Sequence, residues 1–196
     1  MVQKEERCLL VDTHDSKLDD LAELIVKRNI IDGNISKIID RPAEKGHIFE
    51  YIASQLFPIK LNKSASKGGD DGIFTDGDLN GKKVDIKFYA INEHLIDLNP
   101  KVDRDTYLLI FTGPYESASS SKGKTRPMRI DNIYLFNEME LCDQLNGKVK
   151  IGTATSIRSE YWKRNEIYPK NQWNIDLKLK VKELEYLIEK MNKTNL

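Results

Sequence analysis

From Ser16 to Ile31 the apolar positions Leu18, Leu21, Leu24, Ile25 and Ile31 recur close to the spacing of one helix face. Asp15 or Ser16 is placed to cap that helix, with Asp19 and Asp20 in its first turn, where acids suit the positive end of the helix dipole. A second helix is predicted from Pro42 to Phe57. Ile48, Phe49, Ile52, Ala53, Leu56 and Phe57 form its apolar stripe, Pro42 suits its first turn, and Pro58 closes it. Glu50 falls on the border of that stripe. The apolar runs then shorten to strand length at Ile59-Lys60-Leu61, Ile73-Phe74, Val84 to Phe88, Tyr107 to Phe111 and Ile133 to Phe136. The continuous run at 107–111 reads as a buried central strand. Glu138 to Leu145 reads as a short helix, Val149-Lys150-Ile151 as a further strand, and Asn174 onward as a terminal helix. The stripe of that last helix is Leu177, Val181, Leu184, Leu187, Ile188 and Met191. This order predicts an α/β fold, a mixed central β-sheet flanked by helices. With no repeat or linker, it predicts one domain over residues 1–196.

The chemistry concentrates in Gly68-Gly69-Asp70-Asp71-Gly72-Ile73 and Val84-Asp85-Ile86-Lys87-Phe88. Asp85 and Lys87 are two apart on a strand, so both side chains leave the same face. Asp71 stands just before Ile73-Phe74, and the turn-rich Asp76-Gly77-Asp78-Leu79-Asn80-Gly81 leads on to the Asp85 strand. If these runs pair as a hairpin, two carboxylates and an ammonium converge at one end of a small sheet. Such a donor set suits a divalent metal and a phosphodiester. Taken singly, Asp-x-Lys is an ordinary polar strand face and Asp-Gly an ordinary turn pair; their order along the chain carries the reading.

These residues resemble the PD-(D/E)XK nuclease superfamily of restriction endonucleases and DNA-repair nucleases. Its signature is an Asp at the start of one strand and Asp/Glu-x-Lys on the next, matched here by Asp71 and Asp85-Ile86-Lys87. Asp70 stands where the family usually has Pro. Of the two acids Asp71 is favoured, because Gly72-Ile73 completes the Asp-Gly-hydrophobic form common in the family. Many members carry a Glu on a preceding helix, and Glu50 in Gly46-His47-Ile48-Phe49-Glu50-Tyr51-Ile52-Ala53 fits that position. The resemblance covers a catalytic core at about residues 44–112.

The resemblance implies a restriction-endonuclease-like fold and a Mg2+ cofactor, with Mn2+ as a substitute. Asp71 and Asp85 would hold the metal with the Ile86 carbonyl. Glu50 would bind it directly, bind it through water, or position its surroundings. Lys87 would orient or deprotonate the attacking water and stabilise developing charge. The expected products are a 5′-phosphate and a 3′-hydroxyl. A stand-alone chain of this size points first to a type II restriction endonuclease acting on double-stranded DNA as a homodimer. A DNA-repair nuclease or Holliday-junction resolvase comes next. A noncatalytic DNA-binding module of the same fold, or a purely structural protein, is the alternative outside catalysis.

Asp76-x-Asp78-x-Asn80-Gly81 also copies the first half of an EF-hand loop, but the twelfth position, which needs a bidentate carboxylate, is Lys87. A hairpin turn is the better reading. In the 196-residue chain 31 Lys and Arg balance 31 Asp and Glu, which argues against a nonspecific DNA-coating protein. Cys8 and Cys142 are too few and too far apart for a disulfide framework or zinc site. No nucleophile elbow or P-loop is present; His14 and His94 lack spaced partners, and His47, three residues before Glu50 and able to face the site, reads more readily as incidental. No apolar run reaches membrane-span length and no signal-peptide pattern opens the chain, so a cytoplasmic protein is expected. Two stretches are candidates for DNA contact. One is the acid-free 117–130 loop with Lys122, Lys124, Arg126 and Arg129. The other is Ser156 and Arg158, ahead of Tyr161-Trp162, whose rings read more readily as packing residues.

Overall fold

A computed structural model describes residues 16–63, 70–101, 103–116 and 126–193. The chain divides into two compact units, Met1–Ala43 and Glu44–Leu196. In the first, helix α1 (Ser16–Ile39) runs on past the predicted end at Ile31. Asp32-Gly33-Asn34 reads as a stop, yet Ile35, Ile38 and Ile39 continue the helical spacing. One interior Gly costs only about 1 kcal/mol relative to Ala. No helix among the described residues is long and apolar enough to cross a membrane.

The second unit opens with α2 (Lys45–Leu56), which starts later than predicted. Glu44 ahead of it is extended, at φ −80 and ψ 146, so Pro42 lies outside the first turn. At the other end the Phe57 N–H donates to the Ala53 carbonyl at 2.8 Å, and Pro58, lacking an N–H, stops the helix. The strands β1 (Ile59–Leu61), β2 (Gly72–Phe74), β3 (Lys83–Tyr89), β4 (Leu95–Ile96), β5 (Thr106–Thr112) and β6 (Asn132–Asn137) follow. Then come α3 (Glu138–Leu145), β7 (Thr155–Ser156), α4 (Ser159–Arg164), β8 (Glu166–Tyr168) and α5 (Val181–Asn192). The protein is α/β: a six-stranded mixed sheet in the order β1-β2-β3-β5-β6-β8, with five helices among the described residues. β3 and β5 are parallel and the other neighbours antiparallel. A small β4-β7 pair stands apart from the main sheet.

Alternation along β3 divides two cores. Val84 and Ile86 face α2, packing with Phe49, Ala53, Leu109, Phe111 and Leu184 of α5, and Phe88 stacks on Phe49 at 3.7 Å between ring centroids. The opposite face of β5, where Leu108 and Ile110 stand in register with Asp85 and Lys87, packs with Phe136, Leu141 of α3 and Trp162 of α4. The 107–111 run is the buried central strand expected, apolar on both faces as a strand covered on both sides must be. Trp162 is a packing residue, 2% exposed.

Two expected elements are corrected. Val149-Lys150-Ile151 forms no strand. The N–H groups of Lys148 and Val149 turn back to the Leu145 carbonyl, satisfying the open end of α3. The terminal helix begins at Val181, not Asn174. Residues 174–180 instead cross the β2-β3 turn. There Asp78 N–H donates to the Asp176 carbonyl at 2.9 Å, and Asp176 N–H donates to Asp78 Oδ2 at 2.7 Å. Asn174 and Lys178 adopt left-handed φ of 52 and 51. Leu177 is buried, but from this crossing segment rather than from a helix. β4, β7 and β8 are too short for periodicity to mark.

Candidate active site

The two sequence runs do form a hairpin, with Gly72 opposite Val84 and Ile73 opposite Lys83. Gly77 and Gly81 supply the positive φ of its turn, 76 and 83. The Asp78 carboxylate is engaged by the Asp176 N–H, consistent with a structural turn. Gly72 is required by crowding: a Cβ there would lie 2.7 Å from the Lys60 carbonyl of β1.

Asp71 extends the ladder by one residue, its N–H donating to the Val84 carbonyl at 2.8 Å. Its side chain then takes the place of a strand partner: Oδ2 accepts the Ile86 N–H at 2.7 Å. A strand residue's N–H and C=O leave by the same edge, so the Ile86 carbonyl also opens towards Asp71. Asp70 is held differently: its carbonyl and its Oδ2 accept from the Asn62 side-chain amide at 2.9 and 3.2 Å. Asp71, not Asp70, is the acid joined to the Asp85 strand.

Asp85 and Lys87 share the face that period-two alternation assigns them. Lys87 Nζ lies 2.8 Å from Asp85 Oδ1, with side-chain exposures of 34% and 14%. The pair is close but not aligned as a hydrogen bond, and Asp85 Oδ1 is buried without one. Burial drives the Asp85 carboxyl up to about 6, against the pull of Lys87, and the Asp71 charge adds to the rise. Asp71 is raised as well, first by burial, opposed by the Ile86 N–H and assisted by Glu50. Burial, the largest single influence, would lower the Lys87 ammonium, but its interactions with Asp85 and the Asp71 charge together outweigh it and hold Lys87 above its ordinary value. Two acids that resist joint ionisation beside one firmly protonated amine make a site that favours added positive charge.

Glu50 is buried on α2. It comes from the Val84-Ile86 side of the sheet, opposite the Asp85-Lys87 face, and its charge is felt at Asp71. Glu138, which the sequence reading missed, approaches from the Asp85-Lys87 side. It is 2% exposed at the start of α3 and its Oε1 accepts the Asn99 N–H at 2.7 Å. Burial raises its carboxyl to about 6, with the Asp85 charge contributing and Lys87 opposing. Its only sequence signal is an acid in the first turn of a helix, where acids are common, so periodicity could not single it out.

Among the described residues no three His, Cys, Asp or Glu side chains gather as a metal-binding group. The site offers Asp71, Asp85 and the Ile86 carbonyl. Magnesium is commonly held by one or two carboxylates, with water and substrate phosphate completing its shell. The buried Asp85 Oδ1 without a hydrogen bond and the two raised carboxyls fit that mode.

Of the candidate DNA contacts, Lys122 and Lys124 lie outside the described residues. Arg126 pairs with Glu93 at 3.2 Å. Arg129 forms a two-pronged pair with Asp131, at 2.8 Å through Nε and 3.0 Å through Nη2. Ser156 is exposed on β7, and Arg158 is exposed ahead of α4, a helix of only six residues. The structure therefore gathers Asp71, Asp85, Ile86 and Lys87, brings Glu50 to bear on Asp71, and adds Glu138. No family model and no curated protein matches the chain, so its functional reading rests on the chemistry of this site.

Proposed function

We propose that the chain is a metal-dependent, sequence-specific DNA endonuclease of the PD-(D/E)XK type, a type II restriction enzyme acting in the cytoplasm as a homodimer. The observation that carries the reading is the half-buried Asp71-Asp85 pair, raised in pKa, with Lys87 2.8 Å from Asp85. Asp71, Asp85 and the Ile86 carbonyl would hold Mg2+ or Mn2+, with Glu50 supporting from the α2 side. The bound ion would lower the pKa of a water and polarise the scissile phosphate. Lys87 is protonated at neutral pH, which favours donation to a phosphate oxygen or orientation of the attacking water over proton abstraction. Asp71 fixes the spacing of the site through its bond to the Ile86 N–H. The products would carry 5′-phosphate and 3′-hydroxyl ends.

The test is incubation of long unmethylated duplex DNA with the full chain and magnesium, with EDTA and Lys87→Ala controls. Discrete bands lost in both controls support a sequence-specific endonuclease. Cleavage of branched DNA alone would move the reading to a resolvase. DNA binding without metal binding or cleavage would leave a noncatalytic module.

A further inference from the structure

Among the described residues of the Met1–Ala43 unit, helix α1 is the one regular element. Leu18, Leu21, Leu24, Ile25, Ile31 and Ile38 share one side of it, and each is between 48% and 67% exposed. Val26 and Ile30, also exposed, lie off that side. A lone helix in water draws most of its stability from packing an apolar face. At the area that burial of such side chains removes from water, six of them amount to on the order of 500 Å2. An apolar patch of that size marks an interaction surface.

The spacing along α1 says what fits it. Leu21, Leu24, Arg28, Ile31, Ile35 and Ile38 alternate at intervals of three and four, the seam by which one helix packs lengthwise on another. Ile35 is partly buried and the other five are exposed. The seam is complementary to its own reverse: turned end for end, Ile38 stands level with Leu21, Ile35 with Leu24, and Ile31 with Arg28. A parallel copy would instead set Arg28 against Arg28. Within one helix the Arg28 charge is answered by Asp32, one turn on, with Nε 3.4 Å from Oδ2.

Charge selects the same partner. Over residues 16–24 the acids Asp19, Asp20 and Glu23 outnumber Lys17, while over 25–39 Lys27, Arg28 and Lys37 outnumber Asp32. A reversed copy lays each acidic half along a basic half and opposes the two helix dipoles. Two such faces together would bury on the order of 1,000 Å2, the area at which a specific interface begins.

We propose that α1 docks antiparallel against α1 of a second copy of the chain, with Leu24, Ile31 and Ile35 in the middle of the seam. The inference rests on the homodimer in the reading above and gives that dimer its surface.

Sedimentation equilibrium of the full chain over a range of concentrations tests it. The parent chain is expected to be a dimer. Leu24→Glu with Ile31→Glu is expected to weaken the dimer by about 100-fold or more, and thermal melting checks that the variant still folds. Asp20→Lys with Glu23→Lys spares the seam and puts cations along the basic half, so it is expected to weaken the dimer most at low salt. On a Cys8→Ser background, oxidising a mixture of Leu21→Cys and Ile38→Cys chains is expected to give the mixed disulfide, and neither chain alone a disulfide dimer. A monomeric parent chain overturns the proposal, because the face is then covered within one chain. A dimer indifferent to Leu24→Glu with Ile31→Glu overturns it too, because the dimer then uses another surface. Disulfide dimers of the Leu21→Cys chain alone also overturn it, because parallel helices bring that residue to its own copy. Magnesium-dependent cleavage of duplex DNA by a chain that fails these tests would leave the nuclease reading standing while the α1 seam falls.

Discussion

Asp71 Oδ2 accepts the Ile86 N–H at 2.7 Å, across fifteen positions of chain. One candidate metal ligand therefore serves as a strand partner for the residue between the other acid and the lysine. That bond fixes how far Asp71 stands from Asp85 and aims the Ile86 carbonyl into the same corner.

Removing this acceptor separates structure from function. Ile86 is 4% exposed, so Asp71→Ala strands a buried N–H and is expected to cost about 1–3 kcal/mol. Asp71→Asn keeps an oxygen for that N–H and is expected to melt near the parent chain. Both substitutions are expected to lose magnesium binding. Thermal melts with calorimetric metal titration check this, and equal destabilisation by both would show that the bond to Ile86 does not support the hairpin.

Asp85 carries a pH dependence. Its folded carboxyl is raised to about 6, so the folded state holds a proton that the unfolded chain releases near pH 4. The stability this proton contributes is complete below pH 4 and is lost as pH rises through 6. The loss is up to about 3 kcal/mol. Glu138, also raised to about 6, acts in the same direction. Metal-free Asp85→Asn is therefore expected to be more stable than the parent above pH 6, with the gap closing towards pH 4. Urea unfolding at pH 4, 5, 6 and 7 in EDTA measures it; a parent that gains stability from pH 4 to 7 relative to Asp85→Asn would contradict the assignment.

Magnesium should offset that penalty. A ligand bound only by the folded state raises its stability by mass action. Saturating Mg2+ at pH 8 is expected to raise the Tm of the parent chain and to leave Asp71→Asn and Asp85→Asn unmoved. A shift of equal size in all three would mean that the ion binds elsewhere.

Lys87 is about one-third exposed, so Lys87→Ala is expected to fold. If Lys87 stabilises the developing charge, cleavage should fall by about 10²–10⁴-fold, while DNA binding in EDTA changes far less. Cleavage rates and anisotropy on the same duplex read the two effects separately.

Gly72→Ala tests the frame that holds Asp71. The added Cβ would meet the Lys60 carbonyl at 2.7 Å, and backbone cannot give way as a side-chain tip can. An overpacking cost of about 1–3 kcal/mol is expected, together with weaker magnesium binding, since β1 must move from the strand that leads out of Asp71. Unchanged stability and metal affinity would mean that the strands part without disturbing the site.

The sequence by itself determined the features set by neighbours along the chain. Period two places Asp85 and Lys87 on one face, the glycines mark the turn that folds β2 onto β3, and an unbroken apolar run makes β5 a strand buried on both sides. Only the tertiary structure decided which residues far apart meet. It set the parallel pairing of β3 with β5, the crossing of residues 174–180 over Asp78, the approach of Glu138, and the packing of His94, Tyr134 and Phe136 around the Trp162 ring. Nor did the sequence reveal that Asp85 resists ionisation, because desolvation is produced jointly by every group that excludes water from it. Local sterics act within a few residues and leave a periodic signature, whereas burial and long-range pairing exist only once the chain has closed on itself.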